Sequence, residues 1–296
     1  MADTKLYRIV AGKAEEIPSE TVTLEKSLQA LLESNLDTLM AIRLVASEHN
    51  TGKQHGGRID SLGLDENNSP VVLEYKRSTN ETVINQGLFY LDWLMDHQAE
   101  FELLVQRKLG QEVAGNIDWS EPRLVCVAAD YTKYDIHAVR QINRNIELFR
   151  HKFFGNELLV LELVNAVSGE TSTRTKATAK TRSSPTEISG PSVPLAELFE
   201  DLKAFALALG DDVTHHELKH YQTFRRIRNF ACVWIGTKEI SIWLRLDASK
   251  TVMEEGFSRD VSKIGHLGTG DVEVSFRDRN GLEKAKAMLH KAYQEG

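Results

Sequence analysis

The 296-residue chain has little cysteine and no long apolar run. Its two cysteines, Cys126 and Cys232, each lie in an apolar stretch, which predicts buried free thiols rather than a disulfide or a zinc site. No apolar run reaches the roughly 18 residues that a membrane helix needs, and the first residues lack the apolar core of a secretory signal. We therefore expect a cytoplasmic protein without a membrane partner.

The most informative segment has two β-rich stretches, Arg58–Leu64 and Val71–Lys76. The residues between them, 65–70, are Asp, Glu, Asn, Asn, Ser and Pro, which are typical of a turn. This pattern predicts a β-hairpin, and its symmetry places the centre of the turn on Asn67.

The predicted hairpin brings three charged side chains onto one face. With the turn centred on Asn67, Asp60 lies opposite Glu74, and residues directly opposite in an antiparallel pair share a face. Lys76 follows Glu74 by two positions and joins that face. Two facing carboxylates destabilise a sheet unless a cation lies between them, and Mg²⁺ is commonly held in this way. The alternative is a surface hairpin with ordinary charges, against which the apolar run Val71-Val72-Leu73 argues.

A helix is predicted soon after the hairpin. Apolar residues recur every three or four positions from Asn85 through Val105. Gln86 and Tyr90 are four residues apart, so they lie on one helix face, and this spacing directs an amide and a phenol towards the carboxylates. The alternative is that Tyr90 is a core aromatic residue and Gln86 an ordinary polar residue of the first turn.

Five residues in this order carry a resemblance to a known family: Asp60, Glu74, Lys76, Gln86 and Tyr90. The pattern resembles the PD-(D/E)XK, or restriction-endonuclease-like, nucleases, and more narrowly the RecB-type and NucS-type branch with a Q-x-x-x-Y helix. The proline of the family's nominal motif is absent, because Ile59 precedes Asp60. The resemblance covers roughly residues 20–165 and implies an α/β fold with a mixed sheet flanked by helices.

The resemblance also implies the chemistry of the site. Asp60 and Glu74 would hold one or two Mg²⁺ or Mn²⁺ ions, with the Tyr75 carbonyl oxygen as a further ligand. Such a metal lowers the pKa of a bound water and neutralises charge on the phosphate. Lys76 would orient that water or stabilise the developing negative charge.

The resemblance gives supporting roles to five more side chains. Gln86 and Tyr90 would hold a phosphate or the lysine in place. Glu25 begins a predicted amphipathic helix and matches a glutamate that joins the site in NucS-type relatives; a solvated helix charge is the alternative. Arg58 and Arg77 flank the acids and could contact phosphates of a nucleic acid, with simple charge balance as the alternative.

Charge argues partly against a nucleic-acid partner. Residues 1–167 hold 17 lysines and arginines against 25 aspartates and glutamates, a net charge of −8. DNA-binding proteins usually neutralise several phosphates with basic side chains. A nuclease of this composition needs a local basic groove, for which the candidates are Lys53, His55, Arg58, Arg140, Arg144, Arg150, His151 and Lys152.

The chain is predicted to have three parts. Residues 1–167 form the nuclease-like domain, in which further strands are predicted over Leu39–Ala46 and Arg123–Ala129. Residues 168–194, rich in Ser, Thr, Lys and Arg, form a flexible linker. Residues 195–296 form a small α+β domain that resembles a domain of unknown function. Its predicted elements are a helix over Leu195–Leu209, strands over Asn229–Ile235, Ile240–Leu246 and Val272–Phe276, and a helix over Leu282–Tyr293 after a turn at Asn280-Gly281.

The last domain also contains the segment His216-Glu217-Leu218-Lys219-His220. It matches H-E-x-x-H, in which a zinc hydrolase helix presents two imidazoles one turn apart. His266 could be a third ligand. Because no apolar periodicity supports a helix here, a polar turn or the start of a strand is the favoured interpretation.

Three functions therefore compete. The favoured one is a metal-dependent nuclease acting on DNA or RNA, and a homodimer is compatible with it because many such nucleases cut as dimers. The second is a nucleic-acid-binding module on a nuclease-like core with negligible turnover. The third is a zinc hydrolase that uses His216, Glu217 and His220.

Overall fold

A computed structural model describes residues 4–20, 25–76, 82–155, 157–167 and 193–295. The chain divides into two compact units, Met1–Gly169 and Glu170–Gly296. Arg77 and most of the predicted linker lie outside the described residues.

The first unit contains strands and helices in alternation. Its strands are β1 (Leu6–Val10), β2 (Lys13–Ile17), β3 (Ser19–Glu20), β4 (Ile42–Asn50), β5 (Arg58–Asp65), β6 (Pro70–Tyr75), β7 (Arg123–Ala128), β8 (Asn145–Phe154) and β9 (Leu158–Val167). Its helices are α1 (Glu25–Glu33), α2 (Leu36–Met40), α3 (Gly52–His55), α4 (Thr82–Asp96), α5 (Gln98–Leu109), α6 (Gln111–Gly115) and α7 (Lys133–Val139).

Within the described residues, seven of these strands form one mixed sheet. Its order is β3-β8-β7-β6-β5-β4, and β9 pairs with β8. The β6–β7 and β7–β8 pairs are parallel, whereas the others are antiparallel. β1 and β2 form a separate hairpin. The predicted mixed α/β architecture is confirmed.

The hairpin of β5 and β6 has the predicted register. Ser61 pairs with Leu73 and Leu64 pairs with Pro70, so the turn is centred on Asn67. Asp65 fixes the turn, because its Oδ1 accepts hydrogen bonds from the backbone N–H groups of Asn67 and Ser69, each at 2.9 Å. Every residue of β6 is buried, as the apolar run predicted.

Helix α4 packs against β6 and β7. Its Gly87 makes this close approach possible, since a Cβ there would collide with the side chain of Leu124. The apolar residues of α4 and α5, including Leu91, Leu94 and Phe101, are buried in the core on this side of the sheet. Gln86 and Tyr90 are thereby held beside the sheet.

Two predicted elements have different boundaries. The single helix predicted from Asn85 through Val105 is broken at His97, whose φ of −116° and ψ of 37° are not helical. The imidazole Nδ1 of His97 also lies 2.8 Å from the carbonyl oxygen of Trp93. The strand predicted over Leu39–Ala46 begins only at Ile42, because α2 precedes it and Ala41 between them has a φ of 53°.

Over residues 193–295, the second unit is an antiparallel sheet with two α-helices. Its elements are α8 (Val193–Leu207), β10 (Thr214–Glu217), β11 (Gln222–Arg225), β12 (Asn229–Ile235), β13 (Ile240–Leu244), a 3-10 turn (Ala248–Lys250), β14 (Ser258–Asp260), β15 (Val272–Phe276) and α9 (Arg279–Glu295). The strand order is β10-β11-β12-β13-β15-β14. The two helices cover an apolar core on this sheet.

The second unit corrects one detail of the prediction. Asn280 and Gly281 lie in the first turn of α9 rather than in a separate turn before it. The predicted α+β class holds. No helix in the described parts of the chain is long and apolar enough to cross a membrane.

Candidate active site

Two carboxylates meet at the open end of the β5–β6 hairpin. The backbone N–H of Asp60 donates to Glu74 Oε1 at 3.2 Å, and the backbone N–H of Tyr75 donates to Asp60 Oδ2 at 3.0 Å. Each carboxylate thus accepts a hydrogen bond from a backbone N–H group of the opposite strand, and these two bonds hold the acids side by side. The predicted opposition of Asp60 and Glu74 is present in the structure.

The charges of these two carboxylates are only partly neutralised by neighbouring groups. Glu74 is fully buried, and no described residue donates a hydrogen bond to its Oε2. Burial, with the neighbouring charge of Asp60, raises the pKa of Glu74 to about 9. Burial also raises the pKa of Asp60, although the Tyr75 N–H and the charge of Lys76 oppose the shift. A cation between the two groups would supply the missing charge, so the donor set fits a divalent metal.

Lys76 is the cation that the fold itself provides. Its Nζ lies 3.1 Å from Glu25 Oε1, and its side chain is 14% exposed. Burial alone would lower the pKa of Lys76, but the hydrogen bond that Lys76 donates to Glu25 and the charges of Asp60, Glu25 and Glu74 outweigh this effect and raise the pKa. Lys76 is therefore charged at neutral pH and suited to electrostatic stabilisation rather than to proton abstraction.

Residues of strands β7 and β8 contact the backbone of Lys76. Its N–H donates to the carbonyl oxygen of Val127 on β7 at 2.8 Å. His151 on β8, which is buried, has its Nε2 3.3 Å from the Lys76 carbonyl oxygen. Burial lowers the pKa of His151, so this imidazole is a neutral neighbour.

Tyr90 and Gln86 are directed to the beginning of β5. The Tyr90 hydroxyl accepts a hydrogen bond from the backbone N–H of Arg58 at 3.1 Å, and Gln86 Nε2 donates to the same hydroxyl at 3.4 Å. The tyrosine ring lies against Gly57, where a Cβ would come within 2.6 Å of it. In the described contacts these two side chains hold β5 rather than Lys76.

The Arg58 side chain has an acidic partner. Its Nη1 lies 2.7 Å from Glu48 Oε2, and the side chain is 60% exposed. In this structure Arg58 therefore forms an ion pair with a neighbouring acid, and a contact between Arg58 and phosphate stays a prediction. Arg77, the other predicted phosphate contact, lies outside the described residues.

One polar group beside the acids was not predicted. Gln29, 7% exposed, donates through Nε2 to the carbonyl oxygen of Asp60 at 3.0 Å and to Glu33 Oε1 at 2.9 Å. Glu33 also accepts hydrogen bonds from Ser61 Oγ at 2.6 Å and from Ser47 Oγ at 3.0 Å. A signal was available, because Glu25, Gln29 and Glu33 follow one another at intervals of four and so share a face of α1.

The candidate residues for a basic groove are partly neutralised. Arg150 forms ion pairs with Asp130 at 2.7 Å and with Glu162 at 3.0 Å. His151 is buried within the sheet. Arg150 and His151 therefore do not contribute to a free basic surface.

A second buried charged cluster lies at the turn end of the same hairpin. Arg123, 3% exposed, donates to Asp65 Oδ2 at 2.8 Å and to Glu147 Oε2 at 2.7 Å. Burial by itself would lower the pKa of Arg123, but the two carboxylates raise it by a larger amount and keep the guanidinium charged. Each acid here has a strong donor.

The zinc-hydrolase interpretation is wrong for the described residues. His216 and Glu217 lie in β10, and the chain turns before His220, so no helix places the two imidazoles one turn apart. His216 Nε2 instead lies 3.0 Å from Thr214 Oγ1. In the described parts of the chain these residues form no group of three ligands with His266.

Comparisons by sequence find a family profile and a relative. Residues 186–296 match the profile of a domain of unknown function, DUF5655. A Haemophilus influenzae protein described as uncharacterized is 27% identical over 304 residues, which span 98% of this chain and all of that protein. Both parts of the chain therefore recur together in this relative.

Comparisons of structure find two solved structures at low similarity. A repair endonuclease from Pyrococcus abyssi is 19% identical with a TM-score of 0.30, over 44% of this chain and 48% of that one. A complex of EndoMS with double-stranded DNA is 18% identical with a TM-score of 0.27, over 44% and 47% of the two chains. This chain thus spans about half the length of each of these two proteins.

Proposed function

We propose that this protein is a metal-dependent nuclease that hydrolyses phosphodiester bonds of DNA or RNA. The main support is the pair formed by Asp60 and Glu74, because Glu74 is buried with one carboxylate oxygen that lacks a described donor. A charged lysine, Lys76, lies next to this pair. Two carboxylates with a lysine suit hydrolysis at an anionic phosphate.

In this proposal each residue has a defined task. Asp60 and Glu74, with the carbonyl oxygen of Tyr75, would hold Mg²⁺ or Mn²⁺. The bound metal would supply a water of lowered pKa and neutralise phosphate charge. Lys76 would stabilise the negative charge that develops on the phosphate, and Glu25 would keep its ammonium group in position at 3.1 Å.

The proposal extends to the architecture and partners of the chain. Residues 1–167 would be the nuclease domain, 168–194 a flexible linker, and 195–296 a domain for recognition or oligomerisation. The partner would be nucleic acid, with DNA preferred, and the active form would be a homodimer in the cytoplasm. Gln86 and Tyr90 would fix the beginning of β5, which carries Asp60.

The alternative to this proposal is nucleic-acid binding with negligible turnover. The net charge of residues 1–167 is −8, and Arg58 and Arg150 both form ion pairs with acidic side chains. Such a surface binds polyanions weakly, which argues against tight nucleic-acid binding under either function.

A cleavage assay separates these functions. Full-length protein is incubated with Mg²⁺ or Mn²⁺ and single-stranded, duplex or branched DNA, or RNA, beside the variants Asp60→Asn and Lys76→Ala. Glu112→Gln, which removes an exposed acid of α6, is the matched control. Circular dichroism checks that each variant is folded.

For a nuclease at this site, we expect both site variants to lose cleavage by a factor of about 10² or more, while the control retains it. Cleavage that survives in Asp60→Asn and Lys76→Ala would exclude this site. Binding in gel shifts without cleavage of any substrate would favour the second function.

A further inference from the structure

A group of potential metal ligands lies apart from the Asp60–Glu74 pair. It consists of His55 at the end of α3 and of Asp92 and Asp96 on α4. One ligand atom from each of the three side chains lies within 4.8 Å of the others. His55 is half-buried and the aspartates are exposed, so side-chain rotation can bring the atoms together around an ion.

The imidazole distinguishes this group from a cluster of surface acids. Asp92 and Asp96 are four residues apart on one helix face, where two like charges repel each other. His55 comes from a separate segment, and no described hydrogen bond or ion pair joins it to either aspartate. The His55 ring is instead placed by Phe89, with ring centroids 5.3 Å apart.

A second imidazole stands beside the group. The ring centroid of His97 lies 5.6 Å from that of His55, and its plane is nearly perpendicular. His97 Nδ1 lies 2.8 Å from the carbonyl oxygen of Trp93, which assigns the proton to Nδ1 and leaves the Nε2 lone pair available. Metal-binding histidines commonly have their other ring nitrogen fixed in this way.

We propose that His55, Asp92 and Asp96 form a second divalent-metal site. Imidazole with carboxylates selects a transition metal such as Zn²⁺ over Mg²⁺, which prefers oxygen ligands alone. The ion would join α3 to α4 and neutralise the two aspartates. His55 is two residues from Gly57, which packs on Tyr90 of the same helix, so the site would brace the beginning of β5.

Zinc binding to the full-length chain tests this proposal independently of the proposed nuclease. The parent protein carries Asp60→Asn and Glu74→Gln, which remove the carboxylates of the first site. Isothermal titration with Zn²⁺ and native mass spectrometry then compare this parent with His55→Ala and with Asp92→Asn. His137→Ala, which removes an exposed histidine of α7, is the matched control.

We expect the parent and the His137→Ala control to bind Zn²⁺ equally. His55→Ala should weaken that binding by about 100-fold or lose one ion per chain, and Asp92→Asn should weaken it by about tenfold. Zn²⁺ should also raise the melting temperature of the parent but not that of His55→Ala. A parent without Zn²⁺ binding, or equal affinity and stoichiometry in His55→Ala, would overturn the proposal.

Discussion

The two ends of the β5–β6 hairpin both bury carboxylates, but they differ in how the charges of these carboxylates are neutralised. At the turn end, Arg123 lies between Asp65 and Glu147, and both Asp65 oxygens accept hydrogen bonds. At the open end, three carboxylates surround one lysine, and Glu74 Oε2 has no described donor. Both clusters are largely buried.

The difference separates a structural ion cluster from a prepared binding site. A buried ion pair is tolerable only when hydrogen bonds satisfy its members. The turn end gives each carboxylate a strong donor from protein atoms alone, although Arg123 Nε has no partner in the described contacts. The open end does not, so its acids are held close together at a cost that a bound cation would remove.

The largest effect is expected at the turn end. Arg123→Met would leave Asp65 and Glu147 buried without their cation, and we expect the free energy of unfolding to fall by about 3–5 kcal/mol. Urea denaturation followed by circular dichroism measures this loss. A fall below about 1 kcal/mol would show that the cluster is not a structural element.

At the open end, replacing the Glu74 carboxyl group should raise the free energy of unfolding, whereas replacing Arg123 at the turn end should lower it. The pKa of Glu74 is about 9 in the folded chain and near 4.5 when unfolded, so folding without metal retains a proton that the unfolded chain has released. The stability from this group is complete below pH 4.5 and is lost as the pH rises towards 9.

The substitution Glu74→Gln removes the pH dependence of stability that the Glu74 carboxyl group causes. Without divalent ions, we expect the melting temperature of the wild type to fall relative to Glu74→Gln as the pH rises from 5 to 9. Above pH 9 the variant should be more stable by about 1–3 kcal/mol. Mg²⁺ should stabilise the wild type more than the variant. Parallel melting curves across this range would contradict the shifted pKa.

A smaller effect is expected for the hydroxyl that positions β5. Tyr90→Phe removes the acceptor of the Arg58 N–H, which costs about 1 kcal/mol. Tyr134→Phe, on an exposed tyrosine of α7, is the control and should be neutral. Thermal unfolding measures both. Equal stability of the two variants would mean that the Tyr90 hydroxyl does not hold the strand.

The smallest effect on stability is expected for Arg58→Met. The ion pair with Glu48 is exposed, so its loss should cost less than about 1 kcal/mol, in contrast to Arg123→Met. If Arg58 contacts phosphate, KM for nucleic acid should rise without a change in kcat. The slope of the logarithm of the binding constant against the logarithm of the salt concentration should also decrease in magnitude by about one, as for the loss of one phosphate contact. An unchanged KM would limit Arg58 to charge balance.

Local sequence patterns predicted the hairpin and its acids well. The turn residues around Asn67 determine the register, and the register alone places Asp60 beside Glu74. The roles of Lys76 and Glu25 came from a family resemblance, and their 3.1 Å contact joins residues 51 positions apart. No local pattern encodes such a distance.

The missed features depend on long-range contacts. The sequence predicts only that Arg123 begins a strand, because its partners Asp65 and Glu147 come from two other strands. β8 is not among the predicted strands because Arg150, His151 and Lys152 interrupt its apolar residues. β11 escaped prediction because it is short and mostly polar, and neighbouring strands in the sheet support it. The segment from His216 agrees with the favoured interpretation of a polar turn or a strand, since β10 ends at Glu217.

The parallel pairing of β6 with β7 has a consequence for the order of folding. The β5–β6 hairpin closes over a short turn, but Lys76 is anchored by Val127, which lies beyond α4, α5 and α6. Contacts this distant along the chain form late, because the intervening loop must close first. A nascent chain that has not yet paired β7 would carry Asp60, Glu74 and Lys76 without their final arrangement. In a nuclease this order would delay cleavage competence until the domain is complete.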